Sequence, residues 1–148
     1  MKSFISLEEA ISILNENIKG LEAEEVTLIE AVKRVLAEDI YSKIDNPPFD
    51  KSAMDGYAVI ANDSNSNEKI NVIDKVFAGD ICTSEVVEKT AIRIMTGAPI
   101  PKGANAVVKQ EDVILDNDGY ITLTKTLKEN ENICFKGEDI QKGTLLVK

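Results

Sequence analysis

The sequence predicts an α+β fold, a helical N-terminal piece followed by a β-rich piece, and two observations carry the prediction. Within the first forty residues, two capping signatures each precede apolar positions at helical spacing. From Tyr57 onward the chain becomes a series of short apolar or β-branched segments separated by Gly, Asn and Asp turn signals.

Taken in order, Ser6 and Glu9 form the first capping box, and Ala10, Ile11, Leu14 and Ile18 follow at helical spacing, with Gly20 as the expected stop. Thr27 and Glu30 form the second, opening a helix through Leu28, Ala31, Val32, Val35 and Leu36. A short strand is expected over 39–44, and Asn46-Pro47-Pro48 then interrupts regular structure. The further strands expected are 57–60, 70–76, 91–95, 106–110, 120–123 and 145–147, with turns at 62–67, Gly79-Asp80 and 116–119. Many short strands with such turns point to a small sandwich or barrel.

Bulk properties exclude several functions. The chain has 148 residues, 43% of them hydrophobic and 29% charged, enough for one ordinary domain or two small ones. No apolar run approaches the roughly 20 residues of a membrane helix. Met1 to Glu9 also lacks the regions of a signal peptide, so a cytoplasmic protein without a membrane partner is expected. A net charge of −9 with scattered Lys and Arg argues against nucleic acid. Histidine is absent, which removes Ser-His-Asp and Cys-His catalysis. Cys82 and Cys134 stand far apart, a pattern of reduced thiols rather than of a zinc site.

Three segments carry chemistry. Residues 46–58 place Asp50, Lys51, Ser52 and Asp55 in one polar stretch after two prolines, with Asp55-Gly56 as a tight-turn dipeptide. Residues 93–103 run from Arg93 through Thr96 and Gly97, offering a hydroxyl and backbone amides as donors to an anion. Residues 132–139 join Gly137 to Glu138 and Asp139, oxygen ligands of the kind Mg²⁺ takes. Each segment alone is also readable as an ordinary turn or proline-stiffened connection.

Together they are specific. Residues 47–58 (Pro-Pro-Phe-Asp-Lys-Ser-Ala-Met-Asp-Gly-Tyr-Ala), 93–101 (Arg-Ile-Met-Thr-Gly-Ala-Pro-Ile-Pro), 103–108 (Gly-Ala-Asn-Ala-Val-Val) and 136–140 (Lys-Gly-Glu-Asp-Ile) resemble, in order, the signatures of the MoeA-type molybdopterin molybdenumtransferases. That family includes the matching domain of gephyrin. The resemblance covers the N-terminal region only. It implies an elongated α/β dimerisation domain beginning over 1–45, a β-barrel-like inserted domain over 46–140, and the start of a return over 141–148. It implies insertion of molybdate into adenylylated molybdopterin with release of AMP, assisted by Mg²⁺. Catalytic roles fall on Asp55, Thr96 and Asp139, substrate contacts on Lys51, Ser52, Arg93 and Gly97, and the metal on Asp55, Glu138 and Asp139. Thr96 is expected to donate to a phosphate or molybdate oxygen. Partners implied are a second copy, the large α/β domain of the same protein, and molybdopterin adenylyltransferase upstream. Lys148 follows an apolar strand without a polar tail, so a piece of a longer enzyme, inactive alone, is expected. The competing reading is a non-catalytic dimerisation or interaction module.

Overall fold

The computed structural model describes residues 4–65 and 68–148. The chain divides into two units, 1–39 and 40–148.

In the first unit, α1 (Leu7–Asn17) is capped as its sequence dictates, with Ser6 Oγ accepting the Glu9 N–H at 3.2 Å. It stops before Gly20, because Ile18 already takes extended backbone. The second expected helix forms only turns over 28–33. The Glu30 carboxylate does reach back to the Thr27 N–H (3.1 Å) and hydroxyl (2.8 Å), but Lys33 at φ 68° ends the winding. A short helix needs an apolar face packed on something to persist. Here Leu28, Val32 and Val35 are exposed, and α1 buries no residue.

The second unit is built on a mixed sheet in the order β6-β3-β5-β4-β8-β7: Ala106–Lys109, Gly56–Val59, Thr90–Ile94, Ile70–Val76, Tyr120–Leu123 and Val113–Leu115. β4 and β5 run parallel, while the other neighbours are antiparallel. The sheet curls, but β6 and β7 remain its two edges, so the expected barrel is an open half-barrel. Both faces are buried. Tyr57, Val59, Ala91, Ala106 and Val108 pack on one side. Ala58, Ile92, Ile94 and Val107 pack on the other. That is the strict period-two alternation of a strand.

β4 departs from it for a physical reason. Val72 pairs Ala91 but Asp74 pairs Ile92, so Ile73 is an extra residue. One extra residue moves every later side chain to the opposite face. Ile70 and Val72 therefore pack with the first cluster and Val76 with the second. Ile92→Ala should cost about 3 kcal/mol in urea unfolding, whereas Ile73→Ala, at a 41% exposed position, should cost under about 1 kcal/mol.

Two small antiparallel pairs complete the unit. β1 (Ile40–Tyr41) pairs β10 (Leu145–Val147), and β2 (Lys51–Ser52) pairs β9 (Ile133–Cys134). The first pair sets 145–147 beside 40–41. Asp45 adds to this by accepting the Lys142 N–H at 2.8 Å. In the stretch 62–67, expected as an exposed loop tip, Asp63 is buried and Ser64 half-buried. Ala61–Asn65 is a 3₁₀ turn in which Asp63 accepts the Lys89 N–H at 2.9 Å and Ser64 Oγ accepts the Leu127 N–H at 2.8 Å. Ser66 and Asn67 lie outside the described residues.

Candidate functional site

The three motif segments are zipped together, with the first in the middle. On one side, the Ser52 N–H donates to the Ala98 carbonyl (2.9 Å), the Gly97 N–H to the Ser52 carbonyl (2.9 Å) and the Ile100 N–H to the Asp50 carbonyl (3.0 Å). On the other, the Lys136 N–H donates to Asp50 Oδ1 (2.8 Å), the Gly137 N–H to the Pro47 carbonyl (2.8 Å), and the Asp139 and Ile140 N–H groups to the Asn46 carbonyl (3.0 Å each). Three stretches far apart in sequence thus share one backbone ladder. Asp50 carries a staple that sequence reading did not assign to it.

Antiparallel pairing brings the start of β3 and the ends of β5 and β6 to one end of the sheet, where Gly56 stands opposite both Ile94 and Lys109. Asp55 and Thr96 meet there. Asp55 Oδ1 accepts both the Thr96 N–H (2.7 Å) and the Thr96 hydroxyl (2.8 Å). These two donors, the backbone one foremost, hold the Asp55 carboxyl below its ordinary pKa, with a smaller contribution from the Arg93 charge. The lowered folded-state pKa means that the contact stabilises the fold above the unfolded-state pKa and is lost as pH falls through the folded value. An NMR titration should place the Asp55 midpoint below the usual carboxylate range. Thr96→Val should raise it part of the way back, since only the hydroxyl donor is removed. An unchanged midpoint in Thr96→Val would contradict that role.

The other expected site residues make the following contacts. The Thr96 hydroxyl, expected to donate to a substrate oxygen, donates here to Asp55 Oδ1. The Gly97 amide, expected to face an anion, is committed to the Ser52 carbonyl. Ser52 is fully buried, and its Oγ donates to the Met54 carbonyl at 2.6 Å and accepts the Met54 N–H at 3.3 Å. Lys51 is half-buried in β2, whose residues pair with β9. The carboxylates named for a metal are not gathered. Among the described residues no group of three or more Asp, Glu, Cys or His side chains is placed to hold an ion. Glu138 accepts the Phe135 N–H at 2.8 Å, and Asp139 faces the Asn46 amide at 3.5 Å. Glu138 thus closes its own turn, while Asp139 ties the third motif segment to the first.

Arg93 lies beside this junction. Its guanidinium stacks 4.9 Å from the Tyr57 ring centroid and donates to Gln110 Oε1 at 2.6 Å. Gln110 in turn donates its N–H to the Asp55 carbonyl at 3.1 Å. Neither Tyr57 nor Gln110 was singled out by sequence. The period-two rule, which sets Tyr57 on the face of Asp55, was the available signal.

Fold and junction define a two-unit α+β region whose polar motif loops converge at one end of a curled mixed sheet and bring a carboxylate and a hydroxyl together without histidine. The chain belongs to the MoeA N-terminal region family (domain I and II), which matches residues 5–148. It is 44% identical over 144 residues to the molybdopterin molybdenumtransferase of Haemophilus influenzae, covering 97% of this chain and 36% of that one. It is 39% identical over 149 residues to the Staphylococcus aureus protein of the same name, covering 97% and 35%. The crystal structure of the molybdopterin biosynthesis MoeA protein from Pyrococcus horikoshii superposes with a TM-score of 0.85 at 41% identity, over 95% of this chain and 38% of that one. The chain therefore spans little more than a third of the length of these relatives.

Proposed function

We propose that this chain is the N-terminal region of a molybdenum-cofactor biosynthesis enzyme, a transferase that inserts molybdate into adenylylated molybdopterin and releases AMP. The names of the curated relatives support the reading. The observation that carries it is the Asp55–Thr96 contact, which joins two of the three motif segments and holds Asp55 ionised at a sheet end. Asp55, exposed and with both hydrogen bonds on Oδ1, suits one oxygen ligand of Mg²⁺, an ion that takes one or two carboxylates and completes its shell with water and substrate phosphate. Glu138 and Asp139 are not gathered beside Asp55, so we assign them only contacts to the same ion through its water or the substrate phosphate. Bound there, Mg²⁺ would supply charge neutralisation at the phosphate. The chain's own residues supply placement: Thr96 fixes Asp55, and the backbone ladder fixes both relative to Asp139.

The pterin and nucleotide are held by the large α/β domain, which lies outside this chain, so 1–148 alone is inactive. The enzyme is a cytoplasmic homodimer that receives its substrate from molybdopterin adenylyltransferase. Among the described residues no helix is long and apolar enough to cross a membrane. A second reading, a dimerisation module, is favoured by one observation: Phe4, Leu7, Leu14, Ile18 and Leu21 of the first unit are all exposed. Trans-complementation separates the two. This chain is mixed with the separately expressed remainder, adenylylated molybdopterin, Mg²⁺ and molybdate, and AMP is assayed. Release that requires the chain supports the catalytic reading. No release, while the intact enzyme turns over under the same conditions, favours the module.

A further inference from the structure

The curled sheet ends on an open edge that no part of the proposed reaction uses. β7 has one neighbour, β8, and among the described residues no strand lies on its other side. The bonds at its two ends fix which backbone groups are left open. The Thr124 N–H donates to the Asp112 carbonyl at 3.0 Å, and the Asp116 N–H donates to the Tyr120 carbonyl at 2.9 Å. Asp112 and Asp116 therefore turn their backbones toward β8. Hydrogen-bonded positions alternate along an antiparallel pair, so Ile114, opposite Thr122, faces β8 as well. The Val113 carbonyl and both backbone groups of Leu115 point the other way, outward. The side chains here are open too: Ile114 and Leu115 are exposed. Val113 and Leu115 share with Tyr57 and Val72 the lining of a groove of about 650 Å³. Its cation, Arg93, stands three strands away on β5. An extended segment laid along β7 would complete the ladder at Val113 and Leu115 and set alternate side chains into this groove.

Charge selects the segment. Carboxylates flank β7 on both sides, Glu111 and Asp112 before it, Asp116 and Asp118 after it. Lys125 pairs with Asp112 at 3.0 Å and Lys69 with Asp116 at 2.6 Å. Glu111 and Asp118, one at each end, form no ion pair with any described residue. A second copy would bring the same acidic ends to the edge, on a chain of net charge −9, and like charges facing each other across a strand pair repel. We infer that β7 is a docking edge for an extended peptide segment of a partner protein, apolar at its centre and carrying Lys or Arg at each end. Either strand direction satisfies the charges, because both ends of β7 are acidic. The inference rests on this edge alone. Its test involves neither molybdenum nor turnover, so it can fail without touching the reaction proposed above.

The test is an NMR titration of the 148-residue chain with the peptide Lys-Val-Thr-Val-Thr-Val-Lys as the probe. With the peptide at about ten times its Kd, amide exchange at Leu115 should slow about tenfold, in step with the fraction of chain left free. Ile114, already turned to β8, should change little. The same peptide with Glu at both ends loses the charge match, and one with its central amides N-methylated loses the ladder. Each should bind about tenfold more weakly or worse. Glu111→Lys combined with Asp118→Lys should weaken the basic peptide and tighten the acidic one. Leu115→Pro removes the outward N–H without touching the β8 ladder, a change that a sheet edge tolerates, and should abolish binding. Urea unfolding of Leu115→Pro establishes that the fold survives. If it does not, the N-methylated peptide carries the same test on the unaltered chain. Absence of binding, unchanged Leu115 exchange, equal binding of the basic and acidic peptides, or full affinity of the N-methylated peptide would each overturn the proposal. So would Leu115 protection that grows with chain concentration in the absence of peptide, which assigns the edge to a second copy.

Discussion

Gly56→Ala is expected to unfold the β unit, or to leave it folded only at low temperature. A Cβ at position 56 would fall on the carbonyl oxygen of Val108, 2.8 Å from its carbon and 3.1 Å from the Lys109 Cα. These are backbone atoms of β6, hydrogen-bonded into the sheet beside β3, so no side chain can turn aside to make room. Relief requires β6 to move away from β3, which breaks the ladder and opens both core clusters. The expected cost is about 4 kcal/mol or more, against a total domain stability of roughly 5–15 kcal/mol. Urea or thermal unfolding followed by circular dichroism reads it directly. Gly97→Ala is the informative comparison. Its Cβ would meet only the Ala78 Cβ at 3.8 Å, so the variant carries the strain of φ 82° and no clash, a cost of about 1–2 kcal/mol. A Gly56→Ala protein as stable as Gly97→Ala would show that β3 and β6 are not held at this separation.

Asp55→Asn in the full-length enzyme should lower molybdate insertion by about a hundredfold or more, the scale of losing one preorganised electrostatic group at a reacting centre. The asparagine carbonyl can still accept from the Thr96 N–H and hydroxyl, so the geometry of the junction is retained and only the charge is removed. Asp55→Ala removes the acceptor as well and should be equally inactive. Because Asp55 and Thr96 are both exposed, water replaces most of the lost bonds, and both variants should lower the unfolding midpoint only slightly. The pairing of lost activity with retained stability is the signature of a charge that acts on substrate or metal. Full activity in Asp55→Asn would end the assignment of Asp55, whatever the behaviour of Asp55→Ala.

The two predictions concern adjacent residues with unrelated duties, and the sequence reading grouped them. It took Asp55-Gly56 for a tight-turn dipeptide, yet the bend spans 53–55 and Gly56 opens β3. The glycine is required because a neighbouring backbone passes close by, and turn chemistry has no part in it. That distinction depends on which strand lies beside β3, something local composition does not encode.

Other elements were legible for local reasons. The bounds 70–76, 120–123 and 145–147 match β4, β8 and β10, because β-branched runs between turn residues are short-range signals. The Ser6 cap and the Gly79-Asp80 and 116–119 turns follow from side chains bonding their own backbone a few residues away. The two-residue strands β2 and β9 carry no such signal, since two residues cannot display a period and exist as strands only because they pair with each other. The helix expected after Thr27 fails for the complementary reason: its local signal is present, but among the described residues nothing covers its apolar face.

By itself, then, the sequence determined the α+β class, the order of most strands, the absence of histidine chemistry and the identity of the three motifs. Each of these is a property of residues close together along the chain. Only the tertiary structure decided that the first motif lies between the other two, that Thr96 spends its proton on Asp55, that Ser52 is buried, and that Arg93 stacks on Tyr57 beside Lys75. Each of those depends on strand register, and register is set by the whole sheet's burial of its two faces, down to the single extra residue at Ile73.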